Sequence, residues 1–132
     1  MAFDYGAKRV GIAVTDPLKI IATGLTTCAS EEIYVFVESY MHKESVELFV
    51  VGYPTNLNGH PTHATPLVQK FISQLRKKWP QIPIETWDET FSSRLAVKAM
   101  VDSGMKKKQR RDKATIDKIS AVIILQEYLE HL

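Results

Sequence analysis

The sequence predicts an α/β fold: a mixed sheet with helices on both faces. Three observations predict it. Residues Met1 to Asp16 have the pattern of a β-hairpin, with Gly6, Ala7, Lys8 and Arg9 at the turn. Val46 to Tyr53 is an apolar run, too short for a helix and too uniformly apolar for a surface strand, as expected of a buried parallel strand. Segments between the strands carry apolar residues at helical spacing. The resulting order, β-β-β-α-β-α-β-α-α, joins an antiparallel meander to βαβ crossovers, which requires both strand senses in one sheet.

Taken in order, the first strand holds Phe3, Asp4 and Tyr5, and the second runs from Val10 to Thr15, ended by Pro17. Ile20 to Cys28 leads into a third short strand centred on Gly24 to Thr27. Ser30, Glu31 and Glu32 read as a helix start, with an N-cap hydroxyl and acids in the first turn. Ile33, Phe36, Val37, Tyr40 and Met41 carry that helix to about His42. After the Val46–Tyr53 strand, residues Pro54 to Pro61 form a loop at its C-terminal end, where open α/β sheets place ligands. A helix from Thr65 to Lys78 follows, with Leu67, Val68, Phe71, Ile72 and Leu75 as its core stripe. Pro80 and Pro83 precede a strand at Ile84 to Asp88. Ser92 or Ser93 caps a helix to about Asp102, closed by Gly104, and Thr115 starts a last helix that runs to the C-terminus. A chain of 132 residues fits one domain, 1–132, with one core.

Hydrophobic content of 45% and charged content of 24% exclude a disordered chain. The net charge of +2 names no partner, and its distribution matters more. Lys106, Lys107, Lys108, Arg110, Arg111 and Lys113 put six cations in eight positions, which taken alone reads equally as a phosphate-binding patch or as a solvated loop. The single cysteine, Cys28, permits no internal disulfide and suits a reducing compartment; it reads as a small buried side chain. Charge begins at Asp4, so no secretory signal is expected, and no apolar run approaches the ~20 residues of a membrane helix. A cytoplasmic location and no membrane partner are the expectation.

Three acidic points stand out. Asp4 lies in an apolar strand, where a carboxylate needs a partner. Asp88 and Glu89 end a later strand. Asp117 falls between Ile124 and Tyr128 on the helical wheel, beside Ala121, in the first turn of the last helix. The positive end of the helix would favour it there by roughly 0.3–1 kcal/mol, too little to explain a buried charge. Each acid taken singly also reads as a cap or an ion-pair partner. Brought together, they would repel unless a divalent cation lay between them. Oxygen-only ligands suit Mg²⁺ or Mn²⁺ rather than zinc. Two such ions in a carboxylate cluster suit phosphodiester hydrolysis.

Four stretches then carry a resemblance: Asp4 to Asp16, Val50 to Gly59, Asp88-Glu89, and Ile116 to Ala121 followed by Ile124 to Leu129. In order and spacing the chain resembles the bacterial YqgF type, Holliday-junction-resolvase-like proteins regarded as nucleases that mature the small-subunit ribosomal RNA precursor. The resemblance spans essentially the whole chain. It implies a ribonuclease-H-like fold, with Asp4, Glu89 and Asp117, joined by Asp88, as the catalytic and metal-binding set. It implies a structured nucleic-acid substrate, RNA ahead of DNA, a pre-ribosomal particle as setting, and a monomer or weak homodimer. Lys8 and Arg9 at the turn are implied near a phosphate. Asn56, Asn58 and Gly59 are implied to shape the loop at the mouth of the site, where asparagine either contacts a backbone phosphate or satisfies the turn. The family pattern has an arginine after the acidic pair, where this chain has Thr90; Arg94, one helical turn on, is the candidate substitute. A non-catalytic assembly or regulatory factor on the same nucleic-acid surface is the alternative, and a Holliday-junction DNA resolvase is another.

His60 and His63 lack further ligands for a tetrahedral zinc site. Trp79 and Trp87 suit stacking on bases, although burial is the commoner fate of tryptophan.

Overall fold

The computed structural model describes residues 1–16, 18, 20–53, 65–88, 104 and 112–131. Five strands form one sheet in the order β3-β2-β1-β4-β5. They are β1 (Ala2–Tyr5), β2 (Arg9–Thr15), β3 (Ala22–Ala29), β4 (Phe49–Tyr53) and β5 (Ile84–Asp88). The first three pair antiparallel, and β1, β4 and β5 pair parallel, so the sheet is mixed as expected. β1 is its centre, antiparallel on one edge and parallel on the other.

Side-chain alternation along the strands divides the core into two layers. Phe3, Val10, Ile12, Phe49 and Val51 meet Ile33 and Val37 of α1 (Ile33–Met41) and Val68, Phe71 and Leu75 of α2 (Thr65–Lys78). Rings dominate there: Phe71 meets Phe3 edge-on at 5.2 Å and stacks on Tyr5 at 4.4 Å. On the other face, Ala2, Ala13 and Val50 meet Ala121, Ile124 and Leu125 of α3 (Lys113–Glu130). The contrast is one of size. Large side chains hold α1 and α2 off the sheet, while alanines and a glycine let α3 lie close to it.

α3 crosses the sheet from β3 to β5. Thr27 Oγ1 donates to the Ala114 carbonyl at 2.6 Å near its start. Trp87 Nε1 donates to Glu127 Oε2 at 2.8 Å near its end. Trp87 also meets Tyr128 edge-on, and Trp79 meets Phe49, so both tryptophans pack against the fold.

The helix starts depart from expectation in two places. Ser30 does not cap α1. Its hydroxyl donates instead to the Gly6 carbonyl at 2.6 Å, and a 3₁₀ turn (Ser30–Glu32) leads into the helix without a side-chain cap. Asp112, read as part of the basic run, is the N-cap of α3: its carboxylate accepts from Ala114 N at 3.1 Å and from the Thr115 hydroxyl at 3.0 Å. Asp112→Ala should lower unfolding free energy by about 1 kcal/mol, measured by urea denaturation, while Asp112→Ser should retain most of it.

Leu67, expected in the core stripe, is 40% exposed. Gly104 has φ of 78°, the left-handed conformation that suits its expected place at a helix end. The helix expected from Ser92 or Ser93 to Asp102 lies outside the described residues. Among the described residues, no helix is long and apolar enough to cross a membrane.

Candidate nucleic-acid and metal site

The C-terminal ends of β1, β4 and β5, the hairpin turn and the N-terminal half of α3 share one end of the molecule. Asp4 sits near the end of β1, half-buried, directly opposite Gly11 of β2. Cross-strand partners project to the same face, so Asp4 and Gly11 both face α3. An ideal Cβ on Gly11 would lie 1.9 Å from the Asp117 carbonyl oxygen and 2.8 Å from Lys118 N. The helix backbone therefore rests on β2 at Gly11, and only glycine permits this approach. That contact delivers Asp117 to the face that carries Asp4.

Arg9 completes the group. It starts β2 two residues before Gly11, on the same face, and its Nε donates to Asp117 Oδ2 at 2.9 Å. The pair is partly exposed, 36% for Arg9 and 24% for Asp117, and such a wet ion pair contributes only about 0.2–1 kcal/mol. Asp117 is the fifth residue of α3, beyond the first turn, where the helix-end contribution has faded. Arg9, rather than the helix terminus, compensates this carboxylate.

The turn that carries Arg9 is held on both sides. Gly6 N donates to the Arg9 carbonyl at 2.8 Å, and Ser30 ties the turn through its backbone N–H to the Lys8 carbonyl and its hydroxyl to Gly6. Lys8 is exposed at the tip, open to a phosphate.

Asp88 closes β5 beside Tyr53. Its neighbour Trp87 packs on α3 at Tyr128, so alternation directs Asp88 to the opposite face from Asp4, Arg9 and Asp117. Asp4, Arg9 and Asp117 thus lie on the α3 side of the sheet, Arg9 and Asp117 as a pair, and Asp88 on the other side. Among the described residues, no group of three His, Cys, Asp or Glu is placed to hold a metal ion. The expected contributions of Glu89, Asn56, Asn58, Arg94, Lys106, Lys107, Lys108, Arg110 and Arg111 lie outside the described residues, as do His60 and His63. Cys28, partly buried, has its thiol pKa raised by burial and then by the Glu32 charge, which disfavours the thiolate a nucleophile needs.

Two residues escaped sequence reasoning. Gly11 carries a readable signal, a glycine inside a strand, which marks close backbone approach. Ser30 carries none, because its partner Gly6 is remote in sequence.

Comparison with known proteins agrees with the motif resemblance. The family described as RuvX, Holliday junction resolvase, matches residues 1–131. A protein of Flavobacterium psychrophilum named "Putative pre-16S rRNA nuclease" is 49% identical over 129 residues, covering 98% of this chain and 94% of that one. Proteins of the same name from Phocaeicola vulgatus, 51% identical over 130 residues, and Christiangramia forsetii, 49% identical over 129, match 98% of this chain and 94% and 96% of their own.

Proposed function

Because the chain belongs to the RuvX family of Holliday-junction-resolvase-like proteins, we propose that it is a metal-dependent nuclease that processes the small-subunit ribosomal RNA precursor. The observation that carries this reading is the convergence of Asp4 and Asp117 around Gly11 beside an exposed basic turn. The relatives named for pre-16S rRNA support the choice of substrate.

The donor set fits a hard divalent cation. It is oxygen-only, and the position beside Asp117 already attracts a cation, the Arg9 guanidinium. Asp4 and Asp117, with Glu89 as the third acid, would hold Mg²⁺ or Mn²⁺. Such ions supply an activated water and charge stabilisation at the leaving oxygen. The chain itself binds and orients the substrate. Lys8 and Arg9 meet the phosphate backbone at the turn. Asn56, Asn58, Arg94 and the Lys106, Lys107, Lys108, Arg110 and Arg111 run extend that contact, which makes binding strongly salt-dependent. The rigid Ser30-anchored turn fixes where the phosphate lies relative to the two acids. We assign this activity to one domain, residues 1–132, working in the cytoplasm on a pre-ribosomal particle as a monomer or weak homodimer.

The test is a cleavage assay on precursor ribosomal RNA and on a four-way DNA junction, with Mg²⁺, with Mn²⁺ and with EDTA. Metal-dependent cleavage of the RNA alone is the expected result. Preference for the junction would make the chain a DNA resolvase. Salt-sensitive RNA binding without cleavage under any metal would make it a non-catalytic assembly factor.

A further inference from the structure

We propose that Arg9 is a built-in counter-ion that competes with the divalent cation for Asp117 and is passed to a substrate phosphate when the cation binds. The inference rests on the metal-dependent reading above and adds a mode of regulation to that site.

The geometry supplies the competition. Arg9 Nε occupies Asp117 Oδ2 at 2.9 Å. A guanidinium and a divalent cation at the same carboxylate repel one another, so each weakens the other's hold on Asp117. The Arg9 backbone stays fixed, because its carbonyl accepts from Gly6 N and the turn is tied to Ser30. Asp117 is equally fixed, since its carbonyl abuts Gly11. The Arg9 side chain is 36% exposed, so it can turn toward solvent without moving either backbone. The exposed neighbour Lys8 makes that side of the turn the natural place for a phosphate.

Two consequences follow. Without cation, the guanidinium offsets the Asp117 charge and is withheld from nucleic acid. With cation, Asp117 is taken and Arg9 becomes available to a phosphate. Metal and nucleic acid therefore strengthen each other's binding by the same factor, as linkage requires.

The experiment is Mn²⁺ binding to the full chain, measured by titration calorimetry and by electron paramagnetic resonance, first without nucleic acid. Arg9→Gln should bind Mn²⁺ about two- to five-fold tighter than the parent, with Arg9→Lys between them. Saturating RNA should tighten Mn²⁺ binding more in the parent than in Arg9→Gln, which keeps only the direct contribution of the phosphate to the ion. Melting temperatures establish that each variant is folded. Equal Mn²⁺ affinity in the parent and Arg9→Gln, with weaker RNA binding, would make Arg9 a plain phosphate contact and overturn the inference. Weaker Mn²⁺ binding in Arg9→Gln would make the pair a mere support for Asp117 and overturn it too. No Mn²⁺ binding in any of the proteins would overturn both this inference and the metal-dependent reading.

Discussion

Asp4→Asn is expected to remove metal-dependent cleavage, lowering kcat by about 10³-fold or more, which corresponds to roughly 4 kcal/mol of transition-state stabilisation. Asparagine keeps the size and hydrogen-bonding shape of aspartate, so β1 keeps its pairing with Gly11 and with β4. What is lost is one negative charge on the face shared with Asp117. RNA affinity should stay level or rise, because a carboxylate next to phosphate is repulsive. That combination, cleavage gone and binding kept, separates a ligand from a structural strand residue. Single-turnover cleavage and filter binding at matched salt measure the two halves. Cleavage that persists in Asp4→Asn would remove the acid from the catalytic set.

Gly11→Ala is expected to be the most disruptive small substitution in the sheet. Its Cβ would sit 1.9 Å from one backbone atom of α3 and 2.3 Å from another, so no side-chain rotation relieves the clash. The helix would have to lift, and Ala121, Ile124 and Leu125, all fully buried, would lift with it. A cost of about 3 kcal/mol or more is expected in urea denaturation. Gly24→Ala is the matched control. There the new Cβ meets side-chain atoms rather than backbone, Lys118 Cγ at 2.9 Å and Val122 Cγ2 at 3.3 Å, and the cost should be smaller, about 1–2 kcal/mol. Equal stability of the two variants would show that α3 does not rest on Gly11.

Much of the fold was legible because it is written locally. The first hairpin, the α2 bounds and the β5 bounds came out as expected, since alternation, a helical stripe and flanking prolines are all short-range signals, except that Arg9, read as part of the turn, already belongs to β2. The α1 and α3 starts did not, for opposite reasons. Ser30 has the right side chain for a cap, but a remote carbonyl claims it. Asp112 is a strong cap, but the cations around it masked the pattern. In the site, the acids themselves were legible as charges out of place. The compensation of Asp117 by Arg9 was not, because the two are 108 residues apart and meet only through Gly11. The face of Asp88 needed the register of β4 and β5, which spacing alone does not reveal.

That same span of 108 residues bears on how the protein comes into being. Contacts of such high sequence separation form late, because closing so long a loop costs entropy before any contact repays it. A chain still emerging from synthesis carries Asp4 and Arg9 from the start, but lacks the helix that bears Asp117. On the proposed assignment, a fragment that stops short of α3 would hold Asp4 and Arg9 without the carboxylate of Asp117.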